Sequence, residues 1–266
     1  MTSRDELTPA VEIACEAGEV VKSYFGSDRL DAAEKGVRDV VTAADFASER
    51  LISRRLREAF PNDGIMGEEG ANVESSNGRC WYVDPLDGTL NFSRGLPIWC
   101  VSLALYQRDQ PLVAVIVDPL RDEAFTAATG QGARRNGEPI TCSRVKVPSG
   151  AVVHLTVDFN DPTWREGLDD LKAVVPRVLR TRNIGAVALA LAYLAAGRLD
   201  VVLHRFASSW DYAAGALLVH EAGGVVTDLS GSRYSPETRA ICAAATPSLH
   251  EQILPLITAS EATSLE

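Results

Sequence analysis

The sequence predicts a mixed α/β fold in two halves, an α+β first half followed by an α/β second half. Three observations predict it. Amphipathic helical stretches open the chain and give way to apolar runs separated by turn residues, the pattern of mostly antiparallel strands. Beyond Ser149 the texture changes to strand-like runs alternating with helical ones. The length of 266 residues, 46% of them hydrophobic, suits one large domain or two tightly packed halves. No internal repeat, low-complexity tract or long linker divides the chain. The halves, 1–145 and 146–266, are therefore expected to form one compact unit, split near residues 141–150.

In the first half, Thr8-Pro9 reads as a helix start, since proline is tolerated at the first helical position. Leu7, Val11, Ala14, Gly18, Val21 and Phe25 make one apolar stripe, and Gly26 ends the helix. A polar connection through Lys35 and Asp39 leads to Thr42-Ala43-Ala44-Asp45, a capping box with Asp in place of Glu. The second helix runs from there to Phe60, where Pro61 stops it. Ile65-Met66 is a short strand and 71–79 a polar loop. Trp81-Tyr82-Val83 is a buried strand that runs into Asp84-Pro85-Leu86-Asp87-Gly88-Thr89. The last three of these can start a helix, with Asp and Thr satisfying its first N–H groups. Residues 98–106 and 112–117 form a hairpin around Arg108-Asp109-Gln110-Pro111, and 123–127 a third strand. Turns at Gly130-Gln131-Gly132 and Asn136-Gly137 follow, leading to Ile140.

In the second half, residues 151–157, 177–181, 199–203, 225–229 and 240–244 read as strands. Residues 164–175, 186–196, 210–222 and 247–257 read as helices, the second closed by Gly197 and the third by Gly223-Gly224.

Composition narrows the function. The net charge of −10 argues against a nonspecific nucleic-acid or anionic-membrane surface. No apolar stretch reaches the roughly 20 residues that span a bilayer, and the first residues lack a secretory pattern, so a cytoplasmic location is expected. The five cysteines (Cys15, Cys80, Cys100, Cys142, Cys242) are scattered without a CxxC pair and read as reduced thiols.

The block Trp81–Phe92 carries the chemistry. Asp84 and Asp87 end a strand and can hold hard divalent cations, while the N–H groups of Gly88 and Thr89 can face a phosphate. Taken alone, Asp-Pro and Asp-Gly are ordinary turn dipeptides. Three further blocks change that: Asp39–Asp45, Gly67-Glu68-Glu69-Gly70 and Ser209-Trp210-Asp211. The four blocks, over nearly the whole chain, resemble the inositol monophosphatase family of lithium-sensitive, magnesium-dependent phosphatases. The resemblance implies a layered α-β-α-β-α sandwich, a homodimer, and two or three Mg²⁺ ions. It implies that Glu68, Asp84 and the Leu86 carbonyl hold the first ion, and Asp84, Asp87 and Asp211 the second. Glu69 and Lys35 would stand behind them, though Lys35 reads equally as a solvated surface lysine. It makes Thr89 and Asp45 a dyad that orients the attacking water, with Glu68 beside them, and it places Asp87, Gly88, Thr89, Gly185, Ala186, His204 and Asp211 against the substrate. Taken singly, Asp45 and Asp211 also read as helix-start carboxylates, and Trp210 as packing.

Phosphate monoester hydrolysis needs an activated water and neutralised phosphoryl charge, and paired metal ions supply both. The four histidines (His154, His204, His220, His250) are scattered and no GKS/T loop is present, which argues against histidine-phosphatase and nucleoside-triphosphatase chemistry. The expected partner is a small phosphate ester, either inositol monophosphate or a similar polyol phosphate. Fructose 1,6-bisphosphate, histidinol phosphate and 3′-phosphoadenosine nucleotides remain open, as does a non-catalytic role in an RNA-related complex. His204 replaces a glutamate usual in inositol-specific members, and Ala186 a Ser or Thr. Both changes remove oxygen acceptors and point to altered selectivity for the alcohol.

Overall fold

A computed structural model describes residues 3–26, 33–36, 39–157 and 164–263. Helix α1 (Ser3–Tyr24) buries Ala10, Ile13, Ala14, Ala17 and Val21 on one stripe. It begins at Ser3 rather than Thr8, with Pro9 inside it. The proline forfeits one backbone hydrogen bond near the helix start, and the packed stripe carries the helix through. Strands β1 (Ala33–Gly36) and β2 (Asp39–Val41) pair as a hairpin where a plain connection was expected. Helix α2 (Ala43–Ala59) opens on the expected capping box at Thr42 and stops before Pro61.

Next come β3 (Gly64–Gly67), β4 (Asn72–Val73), β5 (Arg79–Asp87), the short α3 (Thr89–Ser93), β6 (Cys100–Gln107), β7 (Gln110–Asp118), β8 (Glu123–Ala128), β9 (Ala133–Arg135) and β10 (Glu138–Pro139). The strands form one sheet in the order β10-β9-β8-β7-β6-β5-β3-β4, antiparallel except where β3 runs beside β5. The β6–β7 turn is tighter than expected. Arg108 takes a positive φ of 54°, and Pro111 sits within β7 at an irregularity opposite Tyr106.

The second half contributes β11 (Val152–Leu155), α4 (Trp164–Val174), β12 (Arg180–Arg182), α5 (Val187–Ala195), β13 (Val201–His204), α6 (Ser209–Glu221), β14 (Val225–Thr227), β15 (Ile241–Ala244) and α7 (Pro247–Thr263). Its sheet has the order β12-β11-β13-β15-β14. The first three strands are parallel, whereas β15 runs antiparallel to both β13 and β14. No helix lies between β14 and β15, so the chain turns back instead of crossing over.

The large sheet is buried on both faces, and its residues alternate accordingly. Val101, Leu103 and Leu105 of β6 face α1 and α2. Cys100, Ala104 and Tyr106 face the other way, into a core shared with α5 and α6. That core continues to the small sheet, whose far face packs on α4 and α7. The result is the expected α-β-α-β-α stack. The middle helices are apolar all round, as a doubly covered layer requires. They approach closely because Gly215 has no side chain, and a Cβ there would lie 2.4 Å from the Leu191 Cβ.

Candidate active site

The strand end at Asp84–Asp87 depends on an irregularity of the ladder. Asp84 stands opposite Ser102 and Asp87 opposite Cys100, so three residues of β5 span two of β6. Residues three apart on a regular strand face opposite sides, and the extra residue cancels that offset. Pro85, which has no N–H to give to the ladder, falls inside the irregularity. Both carboxylates are buried, and the Leu86 N–H donates to Asp84 Oδ1 at 3.0 Å.

Two helix starts bring further carboxylates. At α2, Asp45 Oδ2 accepts from the Thr42 N–H at 2.8 Å and from its hydroxyl at 2.5 Å. Its other oxygen, Oδ1, lies 3.0 Å from the Thr89 hydroxyl, which also reaches the Leu86 carbonyl at 2.9 Å. At α6, Asp211 accepts the Ser208 N–H at 2.7 Å. Each aspartate is therefore a helix-start carboxylate, one of the two readings its place in the sequence allowed.

Asp87 does not cap its own helix. The residue at the start of α3 is Gly88, in the left-handed region at φ 92°, where a Cβ would meet the Ile98 carbonyl at 2.9 Å. Asp87 instead caps α5. Its oxygens accept from the Val187 N–H at 2.9 Å and the Leu189 N–H at 3.1 Å, and the Cys100 thiol lies 3.4 Å away. Helix α5 needs this, because its own N-cap residue, Ala186, has no side-chain acceptor. Asn91 closes the same junction by donating to the Ile98 and Ile184 carbonyls.

Glu68 and Glu69 lie on the loop between β3 and β4. Gly67 N–H donates to the Ala71 carbonyl at 2.7 Å and Glu68 N–H to the Val83 carbonyl at 3.1 Å, which sets the loop beside β5. From α2, Glu49 reaches under the loop and accepts the N–H groups of Glu69 at 2.8 Å and Ala71 at 2.9 Å.

Burial is the main force on these carboxyls. It raises Asp84 well above the usual range, reinforced by the charges of Glu68, Asp87 and Asp211. It pushes Asp87 up to about 6 against its backbone hydrogen bonds, and Asp211 up to about 7 with the charge of Asp87 adding. Asp45 also rises to about 6 by burial, with Glu69 adding to it. Among the described residues no lysine or arginine pairs with Asp84, Asp87 or Asp211. Nor are three His, Cys, Asp or Glu side chains already gathered as an ion cage. Asp87 and Asp211 each hold a helix start with the oxygens an ion would share. An all-oxygen, mutually repelling and uncompensated carboxylate set nevertheless matches what hard divalent cations take.

The profile of the inositol monophosphatase family matches residues 3–262. The chain belongs to that family. Nus factor SuhB of Pseudomonas aeruginosa is 41% identical over 234 residues, covering 85% of this chain and 86% of that protein. Inositol monophosphatase 2 of Solanum lycopersicum is 39% identical over 247 residues, covering 88% and 91%. The crystal structure of extragenic suppressor protein suhB from Bartonella henselae superposes with a TM-score of 0.90 at 33% identity, covering 94% of this chain and 97% of that one. Inositol monophosphatase membership supports phosphatase chemistry for the chain, and no helix among the described residues is long and apolar enough to cross a membrane.

The remaining residues expected at the inositol monophosphatase site fall as follows. Gly185, at φ 66°, and Ala186 sit against Gly88, where a Cβ would come 3.2 Å from that of Ala186. Ala186 is buried in this junction. His204 ends β13 beside His154, whose own burial and the charge of His204 push its pKa down to about 3. Trp210 is half-buried and lines a cleft of about 330 Å³ with Phe206 and Arg239. The side chain of Lys35 lies outside the described residues. The sequence reading missed Glu49, Cys100 and the N–H groups of α5. Only Glu49 left a local signal, four residues after Asp45 on the same helical face.

Proposed function

We propose that the chain is a Mg²⁺-dependent phosphomonoesterase acting on inositol monophosphate or a similar small polyol phosphate. One observation carries the reading: the Thr89 hydroxyl stands between Asp45 and the Leu86 carbonyl, beside the mutually repelling carboxylates of Asp84, Asp87 and Asp211. Glu68, Asp84 and the Leu86 carbonyl would hold one ion, and Asp84, Asp87 and Asp211 a second, with Glu69 behind them. When bound, the ions neutralise phosphoryl charge and acidify water. Thr89 orients the attacking water and passes a proton toward Asp45, whose raised pKa suits a general base. The N–H groups of Gly88 and Thr89 face the phosphate. Gly185, Ala186 and His204 lie on the alcohol side, where His204 relaxes the preference for inositol. Family membership also supports a cytoplasmic homodimer, in which each chain is one compact unit of the halves 1–145 and 146–266.

The test is phosphate release with and without Mg²⁺ on inositol 1-phosphate, glycerol 2-phosphate, fructose 1,6-bisphosphate and histidinol phosphate. Mg²⁺-dependent turnover, inhibited by lithium, is expected. His204→Glu should raise kcat/KM for inositol 1-phosphate relative to the rest. Absence of turnover on every ester would overturn the reading. It would favour a second one, a binding role in an RNA-related complex, which the Nus factor names among the relatives support. The net charge of −10 then points to contact through protein rather than RNA.

A further inference from the structure

We infer that Glu49 is the positioning residue of the active-site loop, setting the backbone from which Glu68 reaches the metal site. The inference rests on the phosphatase reading for its consequence and on geometry for its existence. Glu49 stands one helical turn beyond Asp45 on α2 and is buried. One of its oxygens accepts the Glu69 N–H and the other the Ala71 N–H. These two donors bracket the loop that also closes on itself from Gly67 to Ala71. The carboxylate therefore fills the inside of the turn and holds both of its limbs. The loop is shaped around it: a Cβ on Gly67 would stand 2.3 Å from Glu49 Oε2. A side chain at 67 would have to displace the carboxylate from the place it holds against the loop.

Helix α2 thus carries two aspects of the site on one face. Asp45 engages Thr89 directly. Glu49 acts through the loop, which places Glu68 close enough to add its charge to Asp84. A rigid helix joining the two keeps the dyad and the first ion's ligand at a fixed separation. Groups that orient a ligand in this way typically change metal affinity or activity 10–100-fold when removed.

Two measurements test it. Hydrogen exchange of the metal-free wild type should show the Glu69 and Ala71 amides protected to the same degree as the strand amides of β5. In Glu49→Gln, where one oxygen becomes an NH₂ facing a backbone N–H, that protection should fall by about tenfold or more. Mn²⁺ binding followed by electron paramagnetic resonance should weaken by about 10–100-fold in the same variant. The KM for substrate at saturating metal should stay near wild type. Gly67→Ala, which crowds the carboxylate from the loop side, should give the same loss, and the double variant should lose no more than either single one. Unprotected Glu69 and Ala71 amides in the wild type would overturn the clamp whether or not the variants fold. Lost protection with unchanged Mn²⁺ affinity would overturn the link to Glu68. Intact protection and Mn²⁺ binding without phosphate release would sink the phosphatase reading while leaving the clamp standing.

Discussion

Helices α2 and α5 begin in opposite ways. Helix α2 caps itself: Thr42 and Asp45, three residues apart, satisfy each other, and the spare oxygen of Asp45 is left for Thr89. Helix α5 begins with Ala186 and is capped by Asp87, a residue 100 positions away. Helix α6 follows the first pattern, with Asp211 holding the Ser208 N–H. The difference teaches that the candidate site's carboxylates are held in two ways: Asp45 and Asp211 bind their own helix start through Oδ2, whereas Asp87 gives both oxygens to α5. In α2 and α6 the structural work is local. In Asp87 it ties the end of β5 to the start of α5.

The sharpest test separates the carboxylate that caps no helix from the one that does. Asp84→Asn should lower kcat by roughly a thousandfold or more, since its partners act as a unit. It should leave the metal-free Tm unchanged or raised, because a buried repelling charge is gone. Asp87→Asn should lose comparable activity and also about 1–2 kcal/mol of stability, read by urea unfolding, because α5 keeps only part of its cap. Equal stability of the two variants would erase the distinction.

A pH series comes next in size. Asp87 and Asp211 have folded values of about 6 and 7 against an ordinary 3.8, so the folded protein binds more protons than the unfolded chain between those limits. Stability from these groups is therefore fully present below about pH 4 and is lost as pH rises through about 6–7. The metal-free Tm should fall from about pH 5 to about pH 8, and the Tm gain on adding Mg²⁺ should grow over the same range. A flat metal-free profile would contradict the burial of the cluster.

The smaller effects probe the caps alone. Ala186→Ser gives α5 a local acceptor in already extended backbone, φ −150°. It should add about 0.5–1 kcal/mol and reduce the stability cost of Asp87→Asn in a double-mutant cycle. Thr42→Ala should remove about 1 kcal/mol from α2 and raise KM little, because Asp45 keeps Thr89.

The same contrast marks what was legible in the sequence. The capping box of α2, the apolar stripes of the outer helices and the turn glycines are local patterns, and each element they announce is present. Strands β1, β2, β4, β9 and β10 are two to four residues long, too short for a period-2 signal, and the reading passed over them. Pro9 misled it because a tertiary stripe outweighs one lost hydrogen bond. Of the residues proposed for the site, Asp45, Glu68, Asp84, Asp87 and Asp211 stand out by motif. The bonds that hold them do not, since Asp87 to α5 and Glu49 to the loop join distant segments that share no periodicity.

The two central helices also have a bearing on how the chain emerges during synthesis. The large sheet is complete by residue 139, but α5 and α6, which cover its inner face, end only at residue 221. At about 5–20 residues per second the wait is roughly 4–16 s. Through that interval Ala104, Tyr106, Ala114 and Ile116 lack the α5 and α6 side chains that cover them in the finished core. The nascent first half is thus a sticky species with one finished face, and a holding chaperone would find its target in that window rather than on the finished protein.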